Sequence, residues 1–226
     1  LRSFGFDTDL TDILGMHYWA SDKFKLSQLI TYMFMHGGLY HIFFNMFGLY
    51  MFGSTLENFW GPKKFLMYYL ITGFGAGIVQ QIFWTVEYQP VISALDQAIS
   101  QNSGEVLLSY QHILERFFRF SGLSGLTAPE LIQLKGEFMN LPITVGASGS
   151  IFGLLLAFGW LFPEVRLMML FIPVPIKARL FVTIYAVAEL FLGVASFSGD
   201  SVAHFAHLGG MIFGLLLLYI WRKKGY

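Results

Sequence analysis

Ser148 lies in the run Thr144-Val-Gly-Ala-Ser-Gly-Ser-Ile-Phe-Gly153, at the head of an apolar stretch that continues to about Phe162. A serine hydroxyl becomes a useful nucleophile when a base lies beside it. The candidate base is His207, in Ala203-His-Phe-Ala-His-Leu-Gly-Gly210, which opens a second apolar stretch. An ionisable group inside such a stretch is costly and marks a functional position by default. A lone serine has a plainer role, bonding back to a carbonyl one turn earlier. The histidine is what changes its meaning.

The spacing around both residues gives a way to bring them together. Gly149 and Gly153 follow the serine, and Gly210 and Gly214 follow the histidine. Each pair is a small-xxx-small pattern that lets helix backbones approach closely in lipid. Parallel helices packed through these glycines would carry Ser148 and His207 at one depth, roughly 6 to 8 Å below the same membrane face at 1.5 Å per residue.

Further polar residues cluster in the same pattern. His41 and Asn45 are four apart and project from one side of a helix. With Ser148 and its backbone N–H they could supply the donors that a developing oxyanion needs, and without it they would be polar glue between helices. His204 is three residues from His207 and shares its face, so that one ring can act on Ser148 while the other borders water. A histidine pair at that spacing lacks a nearby carboxylate or third ligand, Asp200 being the one candidate close by, so no metal and no cofactor is expected. Glu189, in mid-run, fits a structural hydrogen-bond partner or a protonated carboxyl between helices. Nothing in the sequence sets it against His207, and it stands with His36 and His204 as a secondary polar residue.

The elements that position these residues belong to a membrane. Of 226 residues, 55% are hydrophobic and 12% charged, far from the quarter charged that is usual in soluble chains. A net charge of zero argues against a nucleic-acid partner, and the lack of cysteine excludes disulfides and thiol chemistry. Five spans are expected, at about 39–57, 65–84, 144–162, 178–197 and 202–221, each near the ~20 residues that cross a ~30 Å hydrocarbon core. Residues 1–27 mix acidic, basic and aromatic side chains and are expected to lie partly on the membrane surface.

Between the second and third spans, residues 85–140 carry six acidic side chains and apolar positions at helical spacing, from Leu107 to Phe118. They form a helical extramembrane insert, as a lid or a structural loop, within a single membrane domain covering 1–226. Thr127-Ala-Pro-Glu130 has the form of a capping box. Lys63, Lys64, Arg166, Lys177, Arg179, Arg222, Lys223 and Lys224 fall on one side of the membrane, against three basic residues in the insert and three in the N-terminal segment. That side is cytoplasmic by the positive-inside bias. The starts of the His41, Ser148 and His207 spans therefore face outward, and the C-terminus is cytoplasmic. An integral multi-pass protein of a bacterial cytoplasmic membrane is expected, its site opening to the outer side.

Taken together, His36-Gly-Gly-Leu-Tyr-His41-Ile-Phe-Phe-Asn45, Gly146-Ala-Ser148-Gly149 and Ala203-His-Phe-Ala-His207-Leu-Gly-Gly210-xxx-Gly214 resemble the rhomboid intramembrane serine proteases, from about Leu26 to Leu216. The resemblance implies an all-α polytopic helical bundle with Ser148 as nucleophile, His207 as base, and His41 and Asn45 assisting the oxyanion. It also implies a substrate that is itself a single-pass transmembrane segment, cut near its outer end. The family has six spans and five are visible here, so its first span is expected before Leu1. The competing reading is a catalytically inactive rhomboid-like protein that binds transmembrane helices. A small transporter would need similarity between inverted halves, which the sequence does not offer.

Overall fold

The computed structural model describes residues 9–115, 117–119, 122–169, 172–195 and 202–223. Asp7, Asp200, Lys224 and the last residues of the expected 178–197 span lie outside them. The chain folds as a helical membrane bundle, in keeping with its apolar runs.

The N-terminal segment contains α1 (Leu10–Leu14), the short strand β1 (Met16–His17) and α2 (Gln28–Thr31), which tightens into a 3₁₀ turn at Tyr32–Phe34. Its described part is not all surface, for Met16, His17 and Tyr18 are buried while Trp19 and Leu26 are exposed. Two buried amides explain how a polar segment tolerates this. Gln28 Oε1 accepts from the backbone N–H of His17 (3.3 Å) and Lys25 (3.2 Å), while its Nε2 donates to the carbonyls of Ile13 and Lys23, both at 3.1 Å. Gln81 Oε1 accepts from Trp19 N–H (2.9 Å) and its Nε2 donates to His17 O (2.6 Å). Buried backbone groups need such partners.

The first expected span, 39–57, is built of α3 (Leu39–Gly48), a π-helical turn at Leu49–Gly53 and α4 (Ser54–Trp60). Gly61, at φ +79°, breaks it before Pro62 opens the next helix. That helix, α5 (Pro62–Gln101), has 40 residues and a length of about 60 Å, twice a bilayer core. The expected break at Trp84 is absent: the insert begins inside a continuous helix. The C-terminal half of α5 is a post against which a 3₁₀ helix at Glu105–Tyr110 and α7 (Ala128–Asn140) rest, with α6 (Gln111–Leu114) continuing from the former. Leu95, Ala98, Leu131, Leu134 and Phe138 are buried, and Tyr88 meets Phe138 edge-on at 5.3 Å. The capping box starts α7, with Thr127 N–H donating to Glu130 at 2.8 Å. That bond holds the exposed carboxyl below its ordinary range. Lys135 pairs with Asp96 across the joint.

The chain then returns through β2 (Ile143–Thr144), which pairs antiparallel with β1, into α8 (Ser148–Leu161). A hairpin of β3 (Arg166–Met169) and β4 (Ile172–Lys177) leads to α9 (Ala178–Ala195) and finally α10 (His204–Lys223). Among the described residues α5, α9 and α10 are long and apolar enough to cross a membrane. Helix α8, with 14 residues, is about 21 Å long, short of a ~30 Å core.

Helices α5, α8 and α10 form the centre, joined through residues without bulk. A Cβ on Gly210 would lie 1.8 Å from Gly149 O, and one on Gly149 would lie 2.4 Å from Ala76 Cβ. Tyr68 Oη donates to Gly153 O (3.0 Å) and Ser150 Oγ to Tyr69 O (2.8 Å). The basic ends of α5 and α10 meet, Lys64 Nζ lying 4.5 Å over the Trp221 ring. Helix α9 is peripheral, burying little beyond Ala178, Val182, Glu189 and Gly193.

Gly210→Ala should cost about 1–3 kcal/mol, because its methyl would meet backbone that cannot rotate away. A Cβ on Gly136 meets nothing within 4 Å, and Gly136→Ala in α7 should gain roughly 0.5–1 kcal/mol. Thermal unfolding in detergent reads both, and equal behaviour of the two variants would contradict the close packing.

Candidate active site

The site is built where β2 runs into α8. Gly146 has φ +127°, a conformation that side chains resist, and its N–H donates to Tyr32 O at 2.9 Å. The turn delivers Ser148 as the first residue of α8, where backbone N–H groups have no intrahelical partner. Ser148 Oγ lies 2.8 Å from His207 Nε2. Phe152, one turn further along α8, stacks on the His207 ring at 4.1 Å with 7° between planes. One helix thus presents the hydroxyl and also fixes the plane of the imidazole beside it.

The other ring nitrogen of His207, Nδ1, is 2.9 Å from Glu189 Oε2, and the same oxygen is 2.7 Å from Nδ1 of His204. A carboxylate only accepts. With Glu189 ionised, both Nδ1 atoms carry protons, and the free lone pair of His207 Nε2 is turned to the serine O–H.

On the opposite side, Gly37 N–H donates to His41 Nδ1 at 3.3 Å, which leaves the proton of a neutral ring on Nε2. That nitrogen faces the serine loop: a Cβ built on Gly146 would be 2.7 Å from His41 Nε2 and 3.7 Å from Ser148 Oγ. Asn45 is buried, and its Nδ2 donates to His41 O at 2.8 Å. Its second N–H is not used by that bond. His36 packs edge-on to His41 at 5.2 Å, and its buried Nε2 has no hydrogen-bond partner among the described residues.

The structure therefore brings Ser148, His207, His204 and Glu189 into one network, with His41 beside it. Gly149 and Gly210 make the closest backbone approach, while Gly153 lies against Thr72 and Gly214 against Tyr68. His204 is 7% exposed, its ring turned to the carboxylate while the residue also lines a cavity. One expectation is corrected: the histidine pair does not lack a nearby carboxylate, since ligand atoms of Glu189, His204 and His207 lie within 4.8 Å of one another. These atoms are already matched as two donors and a shared acceptor. Sequence reasoning missed the place of Glu189 and the ring contact of Phe152. The usable signal for Glu189 was depth: it is six residues from the C-terminal end of α9, and His207 is three from the N-terminal end of α10.

Beyond His204 lies a cavity of about 260 Å³ lined by Gln80, Glu87, Thr144, Gly193 and His204, among others. Gln80 is 4% exposed, and its Oε1 has no partner among the described residues. A polar space of this size has room for ordered water.

Fold and site together define an integral membrane protein that carries a hydrogen-bonded serine and histidine near one face of a helical bundle. The Rhomboid domain pattern matches residues 23–94 and 105–224, and the chain belongs to the Rhomboid family. It is similar to RHOMBOID-like protein 4 of Arabidopsis thaliana, 26% identical over 196 residues, which covers 85% of this chain and 33% of that protein. RHOMBOID-like protein 6, mitochondrial, from the same plant is 41% identical over 56 residues, or 25% of this chain and 18% of the relative. The chain thus spans a third or less of the length of these curated relatives.

Gly146→Ala is expected to strain the serine turn by about 1–3 kcal/mol and to push His41 away. Reactivity of Ser148 towards a fluorophosphonate should fall more than thermal stability does. Unchanged labelling would mean that the turn does not set the serine's geometry.

Proposed function

We propose that the protein is an intramembrane serine endopeptidase whose substrates are single-pass transmembrane segments. The observation that carries this reading is the 2.8 Å approach of Ser148 Oγ to His207 Nε2, a nucleophile and base in hydrogen-bond reach. Membership of the Rhomboid family supports it.

In this mechanism His207 Nε2 takes the Ser148 proton as Oγ attacks the scissile carbonyl. The oxyanion is met by the free N–H groups at the start of α8 and by His41 Nε2–H, with the second N–H of Asn45 behind them. His207 then gives the proton to the leaving amine. Water from the cavity beyond His204 hydrolyses the acyl-enzyme by the same base. A peptide bond must be unwound to reach Ser148, so cleavage falls where a substrate helix carries small or helix-breaking residues near its end.

The shortness of α8, about 21 Å against a ~30 Å core, supports a start that lies below the surface and within reach of water. The short basic loops at the opposite end support an outward-facing mouth and a cytoplasmic C-terminus. The lipid bilayer is the medium in which substrate and enzyme meet.

Incubation of the purified protein in detergent with a model transmembrane substrate is the test. Ser148→Ala and His207→Ala should each lower cleavage by on the order of 10³-fold or more, and Ser148→Ala should abolish fluorophosphonate labelling. Wild-type cleavage by either variant removes the serine–histidine chemistry. Failure of the wild-type protein to label or cleave, with transmembrane peptides still bound, favours a helix-binding member of the family.

A further inference from the structure

We infer that Glu189, seated by His204, is a positioning residue for His207, so that this protein operates with an acid–base–nucleophile set rather than a serine–histidine pair alone. The inference rests on the protease reading above and deepens it.

Three observations converge. Glu189 Oε2 is 2.9 Å from His207 Nδ1, in line behind the nitrogen that faces Ser148. His204 Nδ1 donates to the same oxygen at 2.7 Å, which fixes the carboxylate from the next turn of the same helix as His207. Glu189 is 8% exposed on α9, a helix whose other faces are largely apolar and open. A carboxylate in such a helix is costly unless it is paired, and its partners here are the two imidazoles.

The chemistry follows from which atoms hold protons. Before attack, Glu189 accepts from Nδ1–H and so keeps the Nε2 lone pair free. When Ser148 Oγ–H gives its proton to Nε2 and the oxygen bonds the carbonyl carbon, the ring becomes a cation. Its positive charge then lies against the carboxylate. The proton leaves from Nε2 to the amine nitrogen as the C–N bond breaks, and Glu189 stays ionised throughout. Its stabilisation grows as the imidazolium forms, so it acts on the transition state and not on substrate binding.

Glu189→Gln keeps the size and removes the charge, and its amide can donate to Nδ1 and reverse the ring's tautomer. In detergent, with a transmembrane reporter substrate, kcat should fall by roughly 10²-fold or more, the range that positioned proton transfer contributes, with KM unchanged. Glu189→Ala should lose at least as much, and His204→Ala less, in the same direction. Thermal unfolding of each variant separates this from loss of fold, and a variant that melts before assay is replaced by the Gln form. Independently, ¹⁵N NMR of the protein labelled in its six histidines, with His207→Asn assigning the signal, should find the proton on Nδ1 in the native chain and displaced in Glu189→Gln.

Wild-type kcat in Glu189→Gln, or an unprotonated Nδ1 in the native chain, overturns the inference. If instead Ser148→Ala cleaves as the native protein does, the protease reading fails on its own, and the NMR signature still decides whether Glu189 holds the ring.

Discussion

The close approach of two backbones, at Gly149 and Gly210, is the constraint from which the site follows. A side chain of any size on Gly210 would occupy the place of the Gly149 carbonyl, 1.8 Å from its Cβ position. In lipid no hydrophobic force draws helices together, and contact depends on packing and on hydrogen bonds across the interface. Here Tyr68 and Ser150 supply bonds on the neighbouring faces of α5 and α8. Once α8 and α10 touch at the glycines, Ser148 and His207 lie just N-terminal to the contact and meet.

Much of this was legible because glycine spacing and isolated polar residues are local signals. Ser148, His207, His41 and the four glycines follow from a few short runs of sequence. Glu189 could be seen as anomalous but not located, because its partner depends on how α9 rotates against α10, and α9 has apolar residues on nearly every face. The length of α5 was hidden for another reason. Charged and amide residues after Trp84 end the membrane signal, yet helix continues wherever one face has something to pack on, and α7 provides that through Leu131, Leu134 and Phe138. Polarity marks where lipid ends and not where a helix does.

The parts that look peripheral converge on the serine turn. Gln28 and Gln81 hold the N-terminal segment, whose strand β1 pairs with β2 at Met16 and Thr144. From the other direction α7 runs into β2, and Ser21 bonds Asn140 at the junction. Gly146 then ties to Tyr32. A side chain at a helix start has no preceding turn of helix to hold it, so the loop before it must be fixed from outside. The insert and the N-terminal segment do this together.

The network at the site also divides unevenly among the helices. Serine, both histidines and the stacking Phe152 come from α8 and α10, the closely packed pair, whereas the carboxylate comes from α9, the least buried of the three. Bonds of 2.7 and 2.9 Å from one oxygen to two rings on α10 weaken steeply with separation and misalignment. Rotation of α9 away from the bundle would therefore leave Ser148 against His207 while freeing the ring's other nitrogen. The hydroxyl's position is set by glycine packing and the plane of the imidazole by Phe152, while the contact to the ring's other nitrogen comes from the less buried α9, so the two sides of the ring can be perturbed separately. That separation is why the charge of Glu189 and the packing of Gly210 have different expected signatures, the one in turnover and the other in stability.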